Sequence, residues 1–259
     1  MIAAGLVVRD LVVRFGGHTA VDQLSFDAPL GQLTGLIGPN GAGKTTTFNA
    51  CSGLSARAEG SVMLFGQDVS SAGPSARAQL GLGRTFQRMQ LFDSLSVADN
   101  VRLGRIAHLA GSSPLRQVLA RRSDHELVET ATESALGRCG IHDLRDRQVR
   151  DLSTGQRRLV ELARVIAGPF RLLLLDEPSS GLDDRESQRF GAILMRLVEE
   201  DDRGILLVEH DMALVMETCD HLYVLDGGRL IFDGTPTEVQ TSELVQHAYL
   251  GTGRSDAAR

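Results

Sequence analysis

The first third of the chain carries short runs of apolar and β-branched residues, a pattern that predicts β-strands. Two runs, LVVRDLVVRF and LSFDAPL, lie between residues 6 and 30. A third, QLTGLIGPN, leads into a glycine-rich turn, and KTTTFNACSGL then predicts a helix that begins directly at the glycines. Two further short strands are expected in SVMLFG and LGRTFQ.

The pattern changes between residues 94 and 150. Strand-like runs disappear, and segments such as VADNVRLGRIAHLA and DHELVETATESALGRC have the apolar spacing of helices. The residues GSSP at 111–114 divide this region into two pieces. We interpret it as a helical subdomain inserted into an α/β core.

The core resumes after Gly168 and Pro169. RLLLLDE and GILLVEH are short, nearly continuous apolar runs, which are typical of strands buried on both faces. Between them DDRESQRFGAILMRLVEE predicts an amphipathic helix, and HLYVLDGG with RLIFDG predicts a terminal hairpin. Strands that alternate with helices predict an α/β fold with a largely parallel sheet covered on both sides.

This organisation predicts one domain over residues 1–259. Its expected parts are an α/β core at 1–93 and 151–234, the helical insertion at 94–150, and a C-terminal helical extension and tail at 235–259. The last residues, GTGRSDAAR, are expected to be a frayed tail.

Composition and charge narrow the functional classes. The chain is 42% hydrophobic and 23% charged, and no stretch approaches 18 consecutive apolar residues. Charged residues near the start (Arg9, Asp10 and Arg14) argue against a signal peptide or a membrane span, so other subunits would have to cross any membrane at which the protein works. The net charge of −6 argues against nucleic acid as the main partner.

Cysteine and lysine usage add two constraints. The three cysteines lie far apart and fit no metal-ligand spacing, which favours reduced, buried thiols. Lys44 is the only lysine in the chain, although arginine is abundant. A position that remains lysine suggests a need for a compact point charge rather than a planar fork.

Residues 38–45, GPNGAGKT, fit the phosphate-binding pattern G-x-x-x-x-G-K-[ST] between a predicted strand and a predicted helix. The glycines let successive backbone N–H groups turn toward phosphate oxygens, and the helix directs its N-terminus at the anion. Lys44 is predicted to contact the β- and γ-phosphates, and Thr45 to offer its hydroxyl to Mg²⁺.

The apolar run that ends in Asp176 and Glu177 predicts the second half of the site. A carboxylate at the end of a buried strand can hold Mg²⁺ directly or through water, and the adjacent Glu177 is placed to polarise an attacking water. The order of the two motifs along the chain supports this interpretation.

LSTGQ at residues 152–156 resembles the LSGGQ signature of ABC ATPases, and further motifs of that family follow in order from Leu6 to Gly251. The resemblance implies a P-loop NTPase fold of the ABC type, in which a mixed sheet core carries an N-terminal antiparallel β region and an inserted helical subdomain. Thr154 departs from the family pattern, because it replaces the first glycine of the signature pair.

The resemblance also implies roles for individual residues. Gln87 matches the Q-loop, His210 the switch histidine, Asp183 the D-loop, and Phe15 the aromatic residue that stacks on adenine; a core aromatic is the alternative for Phe15. The implied catalytic residues are Lys44, Gln87, Glu177 and His210, and the implied Mg²⁺ ligands are Thr45, Gln87 and Asp176. The implied ATP contacts are Phe15, Gly38, Pro39, Asn40, Gly41, Ala42, Gly43, Lys44, Thr45, Thr46, Ser153, Gly155, Gln156 and Asp183.

Several segments resemble the larger ATPase of branched-chain amino-acid importers. These are RTFQRMQLFDSLSVADNV, an added helical stretch at about Gly104 to Leu136, VEHDMALVMETCDHLYVLDGGRLIFDGTP and HAYLG. This resemblance implies a smaller ATPase partner (with a homodimer as the alternative for the isolated chain), two transmembrane permease subunits, and indirectly an extracytoplasmic substrate-binding protein. It also implies a peripheral location at the cytoplasmic face of the membrane, with no nucleic-acid partner.

The sequence leaves other transported substrates and other classes of ABC protein as alternatives. Related ATPases serve importers of urea, short amides and other amino acids. An export pump would share the nucleotide motifs and is often fused to membrane spans. A soluble ABC protein of translation normally has two cassettes in one chain, and a DNA-repair ABC ATPase would need a long coiled coil where this chain has only the stretch between Gln87 and Leu152.

Overall fold

The computed structural model describes residues 5–55, 58–85, 89–111 and 122–251. The strands are β1 (Leu6–Phe15), β2 (His18–Ala28), β3 (Leu33–Ile37), β4 (Ala58–Leu64), β5 (Gln67–Asp68), β6 (Leu82–Arg84), β7 (Leu172–Asp176), β8 (Gly204–Val208), β9 (His221–Asp226) and β10 (Arg229–Gly234). The helices are α1 (Lys44–Cys51), α2 (Pro74–Leu80), α3 (Val97–Gly111), α4 (Arg122–Cys139), α5 (Thr154–Ile166), α6 (Asp184–Asp201), α7 (Met212–Thr218), α8 (Pro236–Thr241) and α9 (Glu243–Gly251). Two short 3₁₀ helices, His142–Leu144 and Val149–Asp151, precede α5.

The strands form two sheets. The antiparallel sheet has the order β2-β1-β4-β5, and the larger sheet has the order β10-β9-β3-β8-β7-β6. In the larger sheet β9, β3, β8, β7 and β6 run parallel, and β10 joins β9 as an antiparallel edge. The predicted fold class, with its antiparallel N-terminal region and terminal hairpin, is confirmed.

The larger sheet is buried on both faces, as its apolar runs predict. All five residues of β7 are buried. Because side chains alternate along a strand, Leu172 and Leu174 enter the core shared with the antiparallel sheet and α1, whereas Leu173 and Leu175 enter the core shared with the helices. This two-sided burial explains why the strand sequence lacks polar positions before Asp176.

The carboxyl ends of three adjacent parallel strands carry the predicted chemistry. Leu36 of β3 pairs with Val208 of β8, and Val208 pairs with Asp176 of β7. The loops that follow these strands therefore begin side by side at one edge of the sheet, which is the usual ligand-binding edge of an α/β fold.

Helices α3, α4 and α5 contact one another and pack against the larger sheet. The division of the chain at residues 94, 150 and 235 stays a prediction. Four elements have no counterpart in the sequence analysis, namely β5, α2, α5 and α7. Helix α2 begins at Pro74 and is followed by Gly81 in the left-handed conformation, a typical start and stop pair.

Among the helices that the structure describes, none combines the length and apolarity that a membrane crossing requires. The predicted frayed tail at 251–259 lies outside the described residues except for Gly251, which ends α9. All three cysteines are free and buried, as predicted.

Candidate functional site

The phosphate-binding pattern forms a tight loop between β3 and α1. Gly38, Gly41 and Gly43 have φ of 150°, 84° and 98°, in the region that favours glycine. A Cβ at Gly38 would lie 2.1 Å from the carbonyl oxygen of Leu225, and one at Gly43 would lie 2.6 Å from that of Ala20. Glycine is therefore required here both by conformation and by the close approach of neighbouring backbone.

Lys44 opens helix α1 and turns back over the loop. Its Nζ donates hydrogen bonds to the carbonyl oxygens of Gly38, at 2.7 Å, and Pro39, at 3.0 Å. The side chain is 6% exposed, and this burial lowers the pKa of Lys44, against the opposing charges of Glu177 and Asp176. The only lysine of the chain thus places a compact cation at the inner surface of the loop.

Asp176 ends β7 as a buried carboxylate. It is 2% exposed, and burial raises its pKa although Arg84 lies nearby, with Nη2 3.5 Å from Oδ2. The other oxygen, Oδ1, is buried without a hydrogen-bond partner among the described residues. A buried carboxylate oxygen in this condition is costly and is suited to receive a cation.

Arg84 is a site residue that the sequence analysis did not identify. Besides facing Asp176, it donates from Nη1 to the hydroxyl of Ser52 at 2.5 Å and lies over the ring of Phe48. It therefore ties the end of β7 to helix α1. Nothing in its local sequence marks it, because its partners come from distant segments.

Glu177 and His210 meet across two loops. Oε1 of Glu177 lies 2.8 Å from Nε2 of His210, while the backbone N–H of Glu177 donates to the carbonyl of Val208 at 2.8 Å. Glu177 has a φ of 48°, which is uncommon outside glycine and typical of functional positions held by their surroundings. The two residues are 33 positions apart in sequence, yet the neighbouring strands β7 and β8 deliver them to one point.

Most of the phosphate-binding loop, together with Glu177 and His210, lines one cleft of about 390 Å³. Phe15 stands at the cleft with 58% of its surface exposed, so its alternative interpretation as a core aromatic is wrong. His18 and Ala20, which the sequence analysis did not identify, join it because the β1–β2 hairpin pairs Phe15 with His18. The described residues lining the cleft are Phe15, His18, Ala20, Asn40, Gly41, Ala42, Gly43, Lys44, Thr45, Thr46, Glu177 and His210.

The signature residues lie apart from this cleft and bond among themselves. Ser153 caps helix α5: its Oγ accepts from the N–H of Gln156 at 3.2 Å, and Gln156 Oε1 accepts from the N–H of Ser153 at 3.1 Å. Asp183 caps α6 in the same way with Glu186. None of these four residues lines the cleft of their own chain.

Close packing joins α5 to the start of α6. A Cβ at Gly155 would lie 2.2 Å from Oε1 of Glu186, and one at Gly181 would lie 3.2 Å from Cγ2 of Thr154. Arg158, which is buried, donates from Nε to the carbonyl of Ser180 at 3.3 Å. The signature helix and the loop before α6 therefore form one packed unit.

Two of the three predicted Mg²⁺ ligands lie among the described residues. Thr45 lines the cleft and Asp176 is buried at the end of β7, next to Glu177, but the third predicted ligand, Gln87, lies outside the described residues. Within the described ranges, no three His, Cys, Asp or Glu side chains group to hold a metal by themselves. Asp176 with its unpartnered Oδ1 fits Mg²⁺, because this ion commonly takes one or two carboxylates and completes its shell with phosphates and water.

Comparison with known proteins agrees with this geometry. The family model described as "ABC transporter" matches residues 21–180. BraF of Pseudomonas aeruginosa, a high-affinity branched-chain amino acid transport ATP-binding protein, is 34% identical over 249 residues, which are 95% of this chain and 97% of that protein. LptB of Escherichia coli K12, a lipopolysaccharide export system ATP-binding protein, is also 34% identical, over 96% of this chain and 98% of its own length. The crystal structure of the ADP conformation of MJ1267, an ATP-binding cassette of an ABC transporter, superposes with a TM-score of 0.83 at 30% identity and covers 95% of this chain and 98% of that one.

Proposed function

The chain belongs to the ABC transporter family, and from that premise we propose that it is the ATP-binding and ATP-hydrolysing subunit of an importer for branched-chain amino acids. The observation that carries the ATPase assignment is the single cleft that unites the phosphate-binding loop, Phe15, Glu177 and His210. The importer assignment is supported by the identity of 34% with BraF over 95% of the chain.

The chain's own groups suggest how ATP is held. The exposed ring of Phe15 offers a face on which adenine can stack. The loop amides and the N-terminus of α1 point at the phosphates, and Lys44 adds its charge from the inner side of the loop. Thr45 and Asp176 would hold Mg²⁺, together with Gln87. When bound, that ion would neutralise charge on the phosphate oxygens.

Glu177 and His210 are placed for the hydrolytic step. Glu177 accepts a hydrogen bond from an attacking water and directs it at the γ-phosphate. His210, whose Nε2 lies 2.8 Å from Glu177 Oε1, holds that carboxylate in place and can turn toward the phosphate. Lys44 stabilises the charge that develops on the phosphate in the transition state.

The signature residues act on a second subunit in this proposal. Ser153, Gly155, Gln156 and Asp183 lie outside the chain's own cleft, so they are available to a nucleotide held by a partner ATPase. ATP that binds the closed pair better than the open pair would drive closure, and hydrolysis would release it. The partner is a smaller ATPase subunit, and the pair sits on two permease subunits at the cytoplasmic face of the membrane.

ATP turnover by the purified chain, with Glu177→Gln beside it, tests the ATPase assignment. We expect hydrolysis that the variant abolishes while ATP binding persists. A wild-type chain that neither binds nor hydrolyses ATP, alone or with its partner subunits, would refute the assignment.

The cargo needs a separate experiment, because LptB and BraF are each 34% identical to this chain. Cells that lack the chain's gene, complemented with wild-type or Glu177→Gln protein, are assayed for uptake of radiolabelled leucine, isoleucine, valine, other amino acids, urea and short amides. We expect a defect in branched-chain amino-acid uptake that only the wild type restores. A defect confined to the uptake of urea, amides or other amino acids would change the assigned cargo. A defect in lipopolysaccharide export with normal uptake would change the assignment from an importer to an exporter.

A further inference from the structure

Glu209 is a buried carboxylate directly after strand β8, with 3% of its surface exposed. Its Oε1 accepts a hydrogen bond from the backbone N–H of Ser179 at 2.7 Å. Its Oε2 accepts from the N–H of His210 at 3.0 Å, and the N–H of Asp211 lies 3.5 Å away. Each oxygen of one side chain therefore binds the backbone of a different loop.

No arginine, lysine or histidine of the described residues forms an ion pair with Glu209. Its negative charge is offset instead by backbone N–H dipoles, at distances typical of charge-assisted hydrogen bonds. Burial of an unpaired carboxylate is unfavourable unless its hydrogen bonds are complete. The buried carboxylate therefore contributes little to the stability of the fold, but its hydrogen bonds strictly constrain the positions of the two loops.

The two loops that Glu209 joins are the two loops that carry the proposed catalytic pair. Ser179 follows Glu177 by two residues in the segment between β7 and α6, and His210 follows Glu209 itself. The side chains of Glu177 and His210 meet at 2.8 Å. Through its two hydrogen bonds, the carboxylate of Glu209 thus fixes the distance between the backbones of the two loops whose side chains make the Glu177–His210 contact.

We propose that Glu209 is a positioning residue that holds His210 against Glu177, so that the loop after β7 and the loop after β8 move as one unit. This inference rests on the proposed function only for its effect on turnover. Its structural part, the placement of His210, can be measured without any turnover. Since Ser179 belongs to the loop before α6, which packs on the signature helix, Glu209 also connects that unit to His210.

Glu209→Gln tests the proposal with a change of nearly equal size. The amide oxygen of glutamine can accept from Ser179 or from His210, but its NH₂ group then faces the other backbone donor. Asp220→Asn is the matched control, because Asp220 Oδ2 also accepts a backbone N–H, from Leu33 at 2.8 Å, at the opposite end of β3. ATP binding, steady-state kinetics and the ring ¹H–¹⁵N resonances of His210 are measured for wild type and both variants. The His210 signals among the seven histidines are assigned by their loss in His210→Ala.

We expect Glu209→Gln to lower kcat about 10-fold with KM for ATP within about 2-fold, because a displaced catalytic group slows the chemical step more than it weakens binding. The His210 ring resonances should move in Glu209→Gln and stay in place in Asp220→Asn. A purely structural role would lower the melting temperature while kcat and the resonances remain those of wild type. That result overturns the proposal. The proposal is also overturned if kcat falls while the His210 resonances do not move.

Glu209→Asp keeps the test decisive if Glu209→Gln fails to fold and bind ATP. It retains the carboxylate but shortens the side chain by one methylene, so that it cannot span both loops. The same shift of the His210 resonances and a smaller loss of kcat are expected, and wild-type values for both overturn the proposal. If the wild-type chain neither binds nor hydrolyses ATP, alone or with its partner subunits, the proposed function fails, and the His210 resonances alone decide the role of Glu209.

Discussion

The cleft and the signature face, here Ser153, Gly155, Gln156 and Asp183, differ in how their polar groups are satisfied. In the cleft, contacts join distant segments, as between Glu177 and His210, and beside it the buried Oδ1 of Asp176, the residue before Glu177, has no hydrogen-bond partner among the described residues. On the signature face the side chains close capping boxes within a single helical turn.

This difference separates two kinds of site. The cleft holds groups whose burial is unfavourable until a ligand arrives, whereas the signature face is already satisfied and presents a rigid surface. Variants of the cleft should therefore change how one isolated chain binds or hydrolyses ATP, and variants of the signature face should change only what an assembled pair does. Four substitutions test this division.

Lys44→Ala should have the largest effect, because it removes the one lysine charge of the loop. Loss of a buried charge partner commonly costs about 2–5 kcal/mol, roughly 30-fold to several thousand-fold in Kd. We expect ATP binding by the isolated chain and turnover to be lost together, as measured by calorimetry and phosphate release.

The control for Lys44→Ala is Arg229→Ala, which removes a positive charge from an exposed pair with Asp22. Exposed pairs contribute little, so this variant should bind ATP as the wild type does. Unchanged ATP affinity in Lys44→Ala would contradict the assignment of residues 38–45 to phosphate binding.

Glu177→Gln should come next, with turnover at least about 100-fold slower, or about 2.7 kcal/mol in the barrier, and ATP binding retained. The physical reason is that the amide no longer accepts the proton and orients the water as the carboxylate does. Glu199→Gln, an exposed position on α6, is the matched control. Turnover near that of wild type in Glu177→Gln would remove the water-orienting role from this residue.

The sequence predicts which segments meet at the cleft, and the reason is physical. Local sequence is enough to predict three segments of the site: the loop at 38–45, the strand ending in Asp176 and the strand before His210. Parallel strands then bring their carboxyl ends to one edge of the sheet. The fold could be predicted for the same reason, since β7 and β8 are too apolar to lie anywhere but between two covered faces.

The residues that the sequence analysis missed depend on contacts between distant segments. Arg84 lies beside Asp176 only because β6 pairs with β7. His18 lies at the cleft only because the first hairpin pairs it with Phe15. Glu209 looks like an ordinary polar residue after a strand until Ser179 is brought beside it. Strand β5 has two residues, too few for any periodicity to appear.

Gly155→Ala should lower turnover of the assembled complex about 10-fold and leave ATP affinity of the isolated chain within about 2-fold. The added Cβ would lie 2.2 Å from Oε1 of Glu186, so either the start of α5 or the cap of α6 must shift. Gly137→Ala is a matched control, because a Cβ at this position of α4 meets nothing within 4 Å. Weaker ATP binding by the isolated Gly155→Ala chain would show that cleft and signature face are not separate as argued.

Thr154→Gly should have the smallest effect, with turnover within about 2-fold of wild type, since the capping box of α5 is made by Ser153 and Gln156 and not by Thr154. Thr154 is exposed at the first position of the helix, and the glycine there removes its short side chain, namely Cβ, a hydroxyl and a methyl group facing Gly181. Thr154→Ser separates the two groups, because it keeps the hydroxyl and deletes the methyl. If both variants lose most of their turnover, the methyl contact with the loop before α6 is required for turnover. The signature face would then be held in place by packing between α5 and the start of α6 as well as by its helix caps.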